Sequence, residues 1–272
     1  MININASIVK KLRDRTGIGI MECKTALIES KGNIDIAIYN LRKNAKVKYE
    51  KKVSRIASEG VIFIKTYDNI AVMLEINSET DFVARSDDFI SFTNYVANHV
   101  LEKRCNDINV LMQGKLEYKR NNLIQKLGEN INVRRLIIRQ SKEKQTLGVY
   151  LHNNARIGAI VLLNGVNKDV ARDISMHVVA MNPMVTFPEE FSKEKIYYEK
   201  SIIRAQTSFS YKSIDLSEKI VQARIKKYIS ENSLVNQVFI KKPDIKVADY
   251  AKMVGCDIVN FVRFELGEKH GV

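Results

Sequence analysis

The sequence predicts an α+β protein, and three observations carry the prediction. Apolar residues recur at helical spacing through roughly the first 45 positions, strand-like runs replace them after Gly60, and the strand-plus-helix plan then returns in a second, weaker copy. With 272 residues and 45% hydrophobic content, the chain exceeds one average domain and has apolar surface for more than one core.

Asn5 is placed to cap a first helix, in which Ile8, Val9 and Leu12 share a face and Gly17 lies beyond the end. Cys23, Ala26 and Leu27 give the i, i+3, i+4 stripe of a second helix, closed by Gly32. Asn33 then caps a third, with Ile34, Ala37, Ile38 and Leu41 on one face. A basic run follows, Arg42, Lys43, Lys46, Lys48, Lys51, Lys52 and Arg55, opposed only by Glu50, which completes a first segment at 1–55. That run reads either as a solvated linker face or as an electrostatic footprint for nucleic acid.

From Gly60 the period changes. Val61 to Tyr67 and Ile70 to Ile76 are β-rich runs around Asp68-Asn69, a hairpin signal. After a loop at Asp81-Phe82, a helical stripe resumes at Phe89, Phe92, Val96 and Val100, and another helix carries Leu116, Leu123, Ile124 and Leu127 up to Gly128. Ile131 to Arg139 reads as a strand that closes a first core subdomain, 56–140. The second copy answers it in order: Gly148-Val149 matches Gly60-Val61, Ile157 to Leu163 matches Ile70 to Ile76, and Met176-His177-Val178 matches Asn98-His99-Val100. Ile70 to His99 spans 29 residues and Ile157 to His177 spans 20, so the first copy carries 9 more, falling at Thr80 to Asp88.

Residues 188–228 are helical in pattern and highly charged. Phe191, Tyr198, Ile202, Ala205 and Phe209 form one stripe, Leu216, Ile220 and Ala223 another, with a turn at Ser210 to Ser213. Two narrow stripes suit an antiparallel helical hairpin inserted into a second subdomain made of 141–187 and 229–272. There, Val247 to Met253 reads as a helix and Ile258 to Leu266 as a strand completing the second sheet.

No apolar run approaches the roughly 18 residues of a membrane span, and the N-terminus lacks the apolar core of a signal peptide, which predicts an untargeted cytoplasmic protein with no membrane partner. Cys23, Cys105 and Cys256 are odd in number and far apart, as reduced structural thiols would be. The formal charge of +13 is discounted, because a joint bias towards Lys, Asn and Ile can arise from gene composition. There is no phosphate-cradling P-loop, no paired metal-ligand spacing and no nucleophile elbow, and Gly17-Ile18-Gly19 is too short to count. His99 and His177 near helix ends read as packing or capping residues, His152 after a strand as exposed, and His270 as part of the tail. No catalytic residue, metal or cofactor is expected, and no enzyme chemistry.

Phe82 directly follows Asp81 where the strand pattern stops, so it is either a loop anchor folded into the core or a rigid plug offered to a partner. A loop that only one copy of a repeat carries is not required to build the unit, which favours the plug. Thr80-Asp81-Phe82-Val83-Ala84 resembles the signature loop of the bacterial elongation factor Ts family, the nucleotide exchange factors for elongation factor Tu. Leu12-Arg13-Asp14-Arg15-Thr16-Gly17 with Met21-Glu22-Cys23-Lys24-Thr25-Ala26-Leu27, and Gly128-Glu129-Asn130-Ile131-Asn132-Val133-Arg134-Arg135, resemble the same family in the same order.

The resemblance implies a ubiquitin-associated-like three-helix domain at the N-terminus, a core of two related subdomains, and a coiled-coil hairpin implicated in self-association as a homodimer. Its implied partner is elongation factor Tu, GDP-bound and nucleotide-free. Phe82 would wedge between helices of the partner's nucleotide domain, Asp81 would hold the displaced segment and so disturb the Mg²⁺ site, and Thr80 and Val83 would shape the loop. Leu12, Ile20 and Met21 would dock the partner's nucleotide domain, with His152 near the contact surface. Family members commonly continue into a C-terminal helical module after a stretch like Phe261 to Glu268. Here Lys269 to Val272 follow, and that module's contacts are not carried over.

A second reading is a nucleic-acid-binding protein using Arg42 to Arg55. Against it, the chain shows no interleaved aromatic platform, zinc finger or helix-turn-helix signature.

Overall fold

The computed structural model describes residues 4–41, 54–208 and 214–268. The basic residues Arg42 to Lys52, Phe209, the expected turn at Ser210 to Ser213, the side chain of Leu216 and the tail with His270 lie outside what is described.

Three helices open the chain: α1 (Ala6–Thr16), α2 (Ile20–Glu29) and α3, helical over 34–41. Their ends are built from local chemistry. Asn5 Oδ1 accepts from the Ser7 N–H at 3.0 Å, and Asn33 Oδ1 accepts from Asp35 and Ile36 at 3.0 and 3.1 Å, filling donors that a helix start leaves open. Gly17, at φ 71, ends α1 in the left-handed region that favours glycine. Val9, Leu12, Cys23, Ala26, Leu27, Ala37 and Leu41 close into one small buried cluster.

The first sheet has the order β1-β2-β3, formed by β1 (Glu59–Tyr67), β2 (Ile70–Ser78) and β3 (Asn132–Gln140). Asp68, at φ 52, turns β1 into β2. Every residue of β2 is buried, as a central strand with both faces covered requires. Between β2 and β3 lie α4 (Asp81–Ala84), α5 (Asp87–Lys103), α6 (Ile108–Leu111) and α7 (Lys115–Leu127). In α5 the expected stripe Phe89, Phe92, Val96 and Val100 is buried. The short α6, capped by Asp107, is an addition to the sequence prediction, since four residues carry no readable period.

The second sheet repeats that order. Here β4 (Gln145–Leu151) pairs antiparallel with β5 (Ile157–Asn164), from Gln145 opposite Asn164 to Leu151 opposite Gly158, and β8 (Asp257–Glu265) lies on the other side of β5. The helix α8 (Lys168–Met181) covers it, burying Ala171, Ile174 and Val178 with Ala159, Val161 and Leu163. His177 is interior: its Nε2 donates to Gln237 Oε1 at 3.0 Å while Nδ1 accepts from the Ile240 N–H at 3.2 Å. Burial pushes its pKa down despite the opposing hydrogen bond to Gln237. A small pair, β6 (Val238–Phe239) and β7 (Lys242–Lys246), precedes α11 (Val247–Lys252); buried Phe239 stacks on Tyr250 at 4.2 Å.

The inserted helices are α9 (Lys193–Ser208) and α10 (Ile214–Asn232), which pack on each other. Their seam differs from the predicted stripes. It runs through Ile196, Ile203, Val221, Ile225 and Ile229, whereas Tyr198 is 67% exposed and Ala205 and Ala223 face solvent. The reason is phase: Phe191 precedes α9 and packs on the Tyr228 ring at 5.9 Å, so a stripe counted from Phe191 starts off the helix and arrives rotated. The chain folds as two compact units, one of Met1–Lys65, Val72–Ile138 and Glu265–Val272, the other of Thr66–Ala71 and Arg139–Phe264.

Candidate partner-binding site

The expected open loop after β2 contains a capped turn of helix. Ser78 Oγ donates to the Thr80 carbonyl at 2.9 Å, and Thr80, extended at φ −123, is the N-cap of α4, its Oγ1 accepting from the Val83 N–H at 3.4 Å. Ala84 is buried and roots the turn, and Ser86 Oγ donates to the Val83 carbonyl at 2.8 Å before capping α5. Phe82 is left 83% exposed. The core-anchor alternative is thereby set aside, since that ring has almost no protein around it. Asp81 pairs with Arg85 at 3.0 Å on the surface. In the second sheet's unit the connection from β5 to α8 is 165–167, three residues against the eight of 79–86 here, so five of the nine extra residues expected at Thr80 to Asp88 fall in this connection, which in the first copy holds α4.

The cap is also held from the end of α7. Glu129 takes the Thr80 N–H on Oε2 at 2.9 Å and the Thr80 hydroxyl on Oε1 at 2.7 Å. In the sequence Glu129 is legible only as part of a motif, because a contact across 49 positions leaves no local periodic signal.

The other expected site residues divide. Ile20 and Met21, in the first turn of α2, are 51% and 71% exposed. Ile20 borders a cleft lined also by Ile4, Val9, Lys10, Arg13 and Lys24. Leu12 needs correction as a docking residue: it is fully buried, because the stripe of α1 faces α2 and α3. His152 stands exposed just after β4, its Nδ1 3.0 Å from Asn154 Oδ1. Among the described residues, no group of His, Cys, Asp or Glu could hold a metal, and no helix is long and apolar enough to cross a membrane.

The capped turn of α4 leaves the Phe82 ring in solvent, and aromatic rings are the usual anchors of surfaces that bind other proteins. The sequence comparisons are more specific. A profile of the family described as Elongation factor TS matches residues 79–268. The chain is 48% identical over 270 residues to the elongation factor Ts of Marinobacter nauticus, covering 98% of this chain and 92% of that one. Similar figures hold for the elongation factors Ts of Hahella chejuensis, 45% over 270 residues with 98% and 93% covered, and of Aeromonas salmonicida, 42% over 274 residues with 98% and 92% covered. The chain belongs to the elongation factor Ts family.

Proposed function

We propose that this protein is a guanine nucleotide exchange factor of translation elongation, which binds elongation factor Tu and promotes GDP release so that GTP can rebind. Family membership supports the activity, and the exposure of Phe82 is the observation that carries its mechanism. Such a factor acts by linkage: by binding the empty partner more tightly than the GDP-bound one, it weakens GDP binding by the same ratio. Each tenfold needs about 1.4 kcal/mol of coupling, and an aromatic buried only in the complex is a suitable source.

In this reading Phe82 enters between helices of the partner's nucleotide domain and Asp81 exchanges its exposed pairing with Arg85 for the displaced segment, dislocating the Mg²⁺ site. An exposed ion pair is worth little, so the exchange costs little. Thr80 and Val83 hold the turn. Ile20 and Met21 dock the nucleotide domain, Leu12 supports them from the interior, and His152 adds a contact from the second unit. The domain reading is 1–55 as a ubiquitin-associated-like unit and basic linker, 56–140 and 141–187 with 229–272 as related subdomains, and 188–228 as a coiled-coil hairpin for self-association. The site of action is the cytoplasm, and no cofactor or enzyme chemistry is required.

The test is release of a fluorescent GDP analogue from elongation factor Tu, with this protein substoichiometric. Acceleration with turnover is expected; release at the unassisted rate by a folded, partner-bound protein would sink the proposal.

A further inference from the structure

We propose that Glu129 is a positioning residue for exchange, setting Thr80 and through it the turn that presents Phe82, a role that rests on the exchange activity proposed above. In a capping box, the residue at the third helical position returns a carboxylate to the N-cap N–H. In α4 that position is Val83, which has no acceptor. Glu129 takes its place from across the fold. Its Oε2 accepts from the Thr80 N–H at 2.9 Å and its Oε1 from the Thr80 hydroxyl at 2.7 Å.

The second bond orients the cap. A threonine hydroxyl has one hydrogen. With that hydrogen on Glu129, the lone pairs of Oγ1 are left for the Val83 N–H at 3.4 Å. A helix of four residues cannot persist by its own propensity, so its geometry depends on such outside partners. Glu129 is itself well placed: Gly128, at φ 81, ends α7 with its N–H on the Ile124 carbonyl at 2.9 Å. A reciprocal bond runs beside it, from the Asn130 N–H to Glu79 Oε1 at 2.7 Å, and Asn130 Nδ2 donates to the Arg55 carbonyl at 2.7 Å. Residues 79–80 and 129–130 thus clasp each other through two glutamates reaching in opposite directions. Phe82 stands exposed two residues beyond the clasp, with its direction inherited from the cap. Ordering the turn before the encounter removes that cost from the complex and from the exchange step.

The experiment compares Glu129→Ala, Phe82→Ala and the double variant in the full chain, with elongation factor Tu loaded with fluorescent GDP. Glu129→Ala is expected to fold and to lower the saturating rate of stimulated release by about tenfold, the scale of one charge-assisted hydrogen bond at the low end of its range. Glu129→Gln, which keeps one carbonyl acceptor, should fall between. In the Phe82→Ala background Glu129→Ala should have no further effect, because no ring remains to be aimed. In the free protein, Glu129→Ala should speed hydrogen exchange at the amides of Val83, Ala84 and Arg85. Additive rate losses, or unchanged exchange at those amides, overturn the proposal. If Glu129→Ala does not fold, Glu129→Gln and Thr80→Val carry the same comparison, and independent effects of the two overturn it. A wild-type rate from Phe82→Ala removes the plug mechanism itself, while the amide measurement still reports separately whether Glu129 orders the turn.

Discussion

Arg135 on β3 directs its Nε at Glu75 Oε2, 2.6 Å away, and the side chain of Glu75 is fully buried in β2. Three more donors converge on the other oxygen: Arg134 Nη1 at 2.8 Å, the Gly267 N–H at 3.0 Å and Asn77 Nδ2 at 3.2 Å. The carboxylate therefore ties the first sheet to the chain just after β8. Burial alone would push its pKa up, but the Gly267 N–H and the two guanidinium groups outweigh it and hold Glu75 below the usual carboxylate range.

A stability limit in acid follows from that arrangement. Because the folded pKa is depressed, the unfolded chain takes up the proton first. The contribution is whole above about pH 4.3, the ordinary glutamate value, and is lost as pH falls through the lower folded value. Glu75→Gln should cost about 3 kcal/mol at neutral pH by neutralising the buried carboxylate that Arg134 and Arg135 share, leaving Arg135 its longer, 3.3 Å pairing with Glu268, and should flatten the acid part of the curve. Urea unfolding midpoints between pH 7 and pH 3 check both.

Phe82→Ala should separate folding from activity. With the ring 83% exposed, truncation removes almost no buried area, so the thermal midpoint should stay at the wild-type value. Stimulated GDP release should slow by about 2 kcal/mol, or roughly thirtyfold. A loss of some 3 kcal/mol in stability, the cost of a core phenylalanine, would contradict the exposed placement.

Gly148 lies where β4 passes close to α8. A Cβ there would stand 2.1 Å from the Ala171 carbonyl oxygen and 2.2 Å from its carbonyl carbon, backbone atoms that have no side-chain freedom to yield. Gly148→Ala is therefore expected to destabilise the second unit by about 3 kcal/mol, at the upper end of overpacking. Denaturant unfolding measures it, and a neutral result would require helix and strand to separate freely.

The helical hairpin has its own seam of Ile196, Ile203, Val221, Ile225 and Ile229. Replacing residues 193–227 by a short Gly-Ser linker, which keeps Phe191 and Tyr228, should leave the second sheet folded and exchange active while abolishing self-association. Circular dichroism, the release assay and sedimentation equilibrium follow the three outcomes. Loss of exchange in a folded variant would place the hairpin against elongation factor Tu.

The legible parts of the fold are those with local causes. Asn5, Asn33 and Gly17 announce helix ends because their side-chain oxygens or missing Cβ act within a few residues. The strand-to-helix plan is readable twice because burial imposes period 2 or 3.6 on any segment long enough to show it. The β6–β7 pair escapes because two and five residues are too few for a period. The seam of α9 is misphased in the sequence because Phe191 belongs to the Tyr228 contact and not to the helix.

By itself the sequence determined the types and order of the longer elements, the family and the position of the segment from Thr80 to Val83, since propensity, capping and motif are properties of neighbouring residues. Tertiary structure decided which of those residues can meet a partner. Leu12 and Met21 both lie on predicted apolar helices, yet one is fully buried and the other 71% exposed, because Leu12 is on the face of α1 that joins the three-helix cluster, whereas α2 gives that cluster Cys23, Ala26 and Leu27 and leaves Met21 outside it. Glu75 and Glu129 are two acids among 31, and their roles arise only when Arg135 and Thr80 are folded against them. Side-chain direction across 60 or 49 positions is set by packing, which no local pattern records.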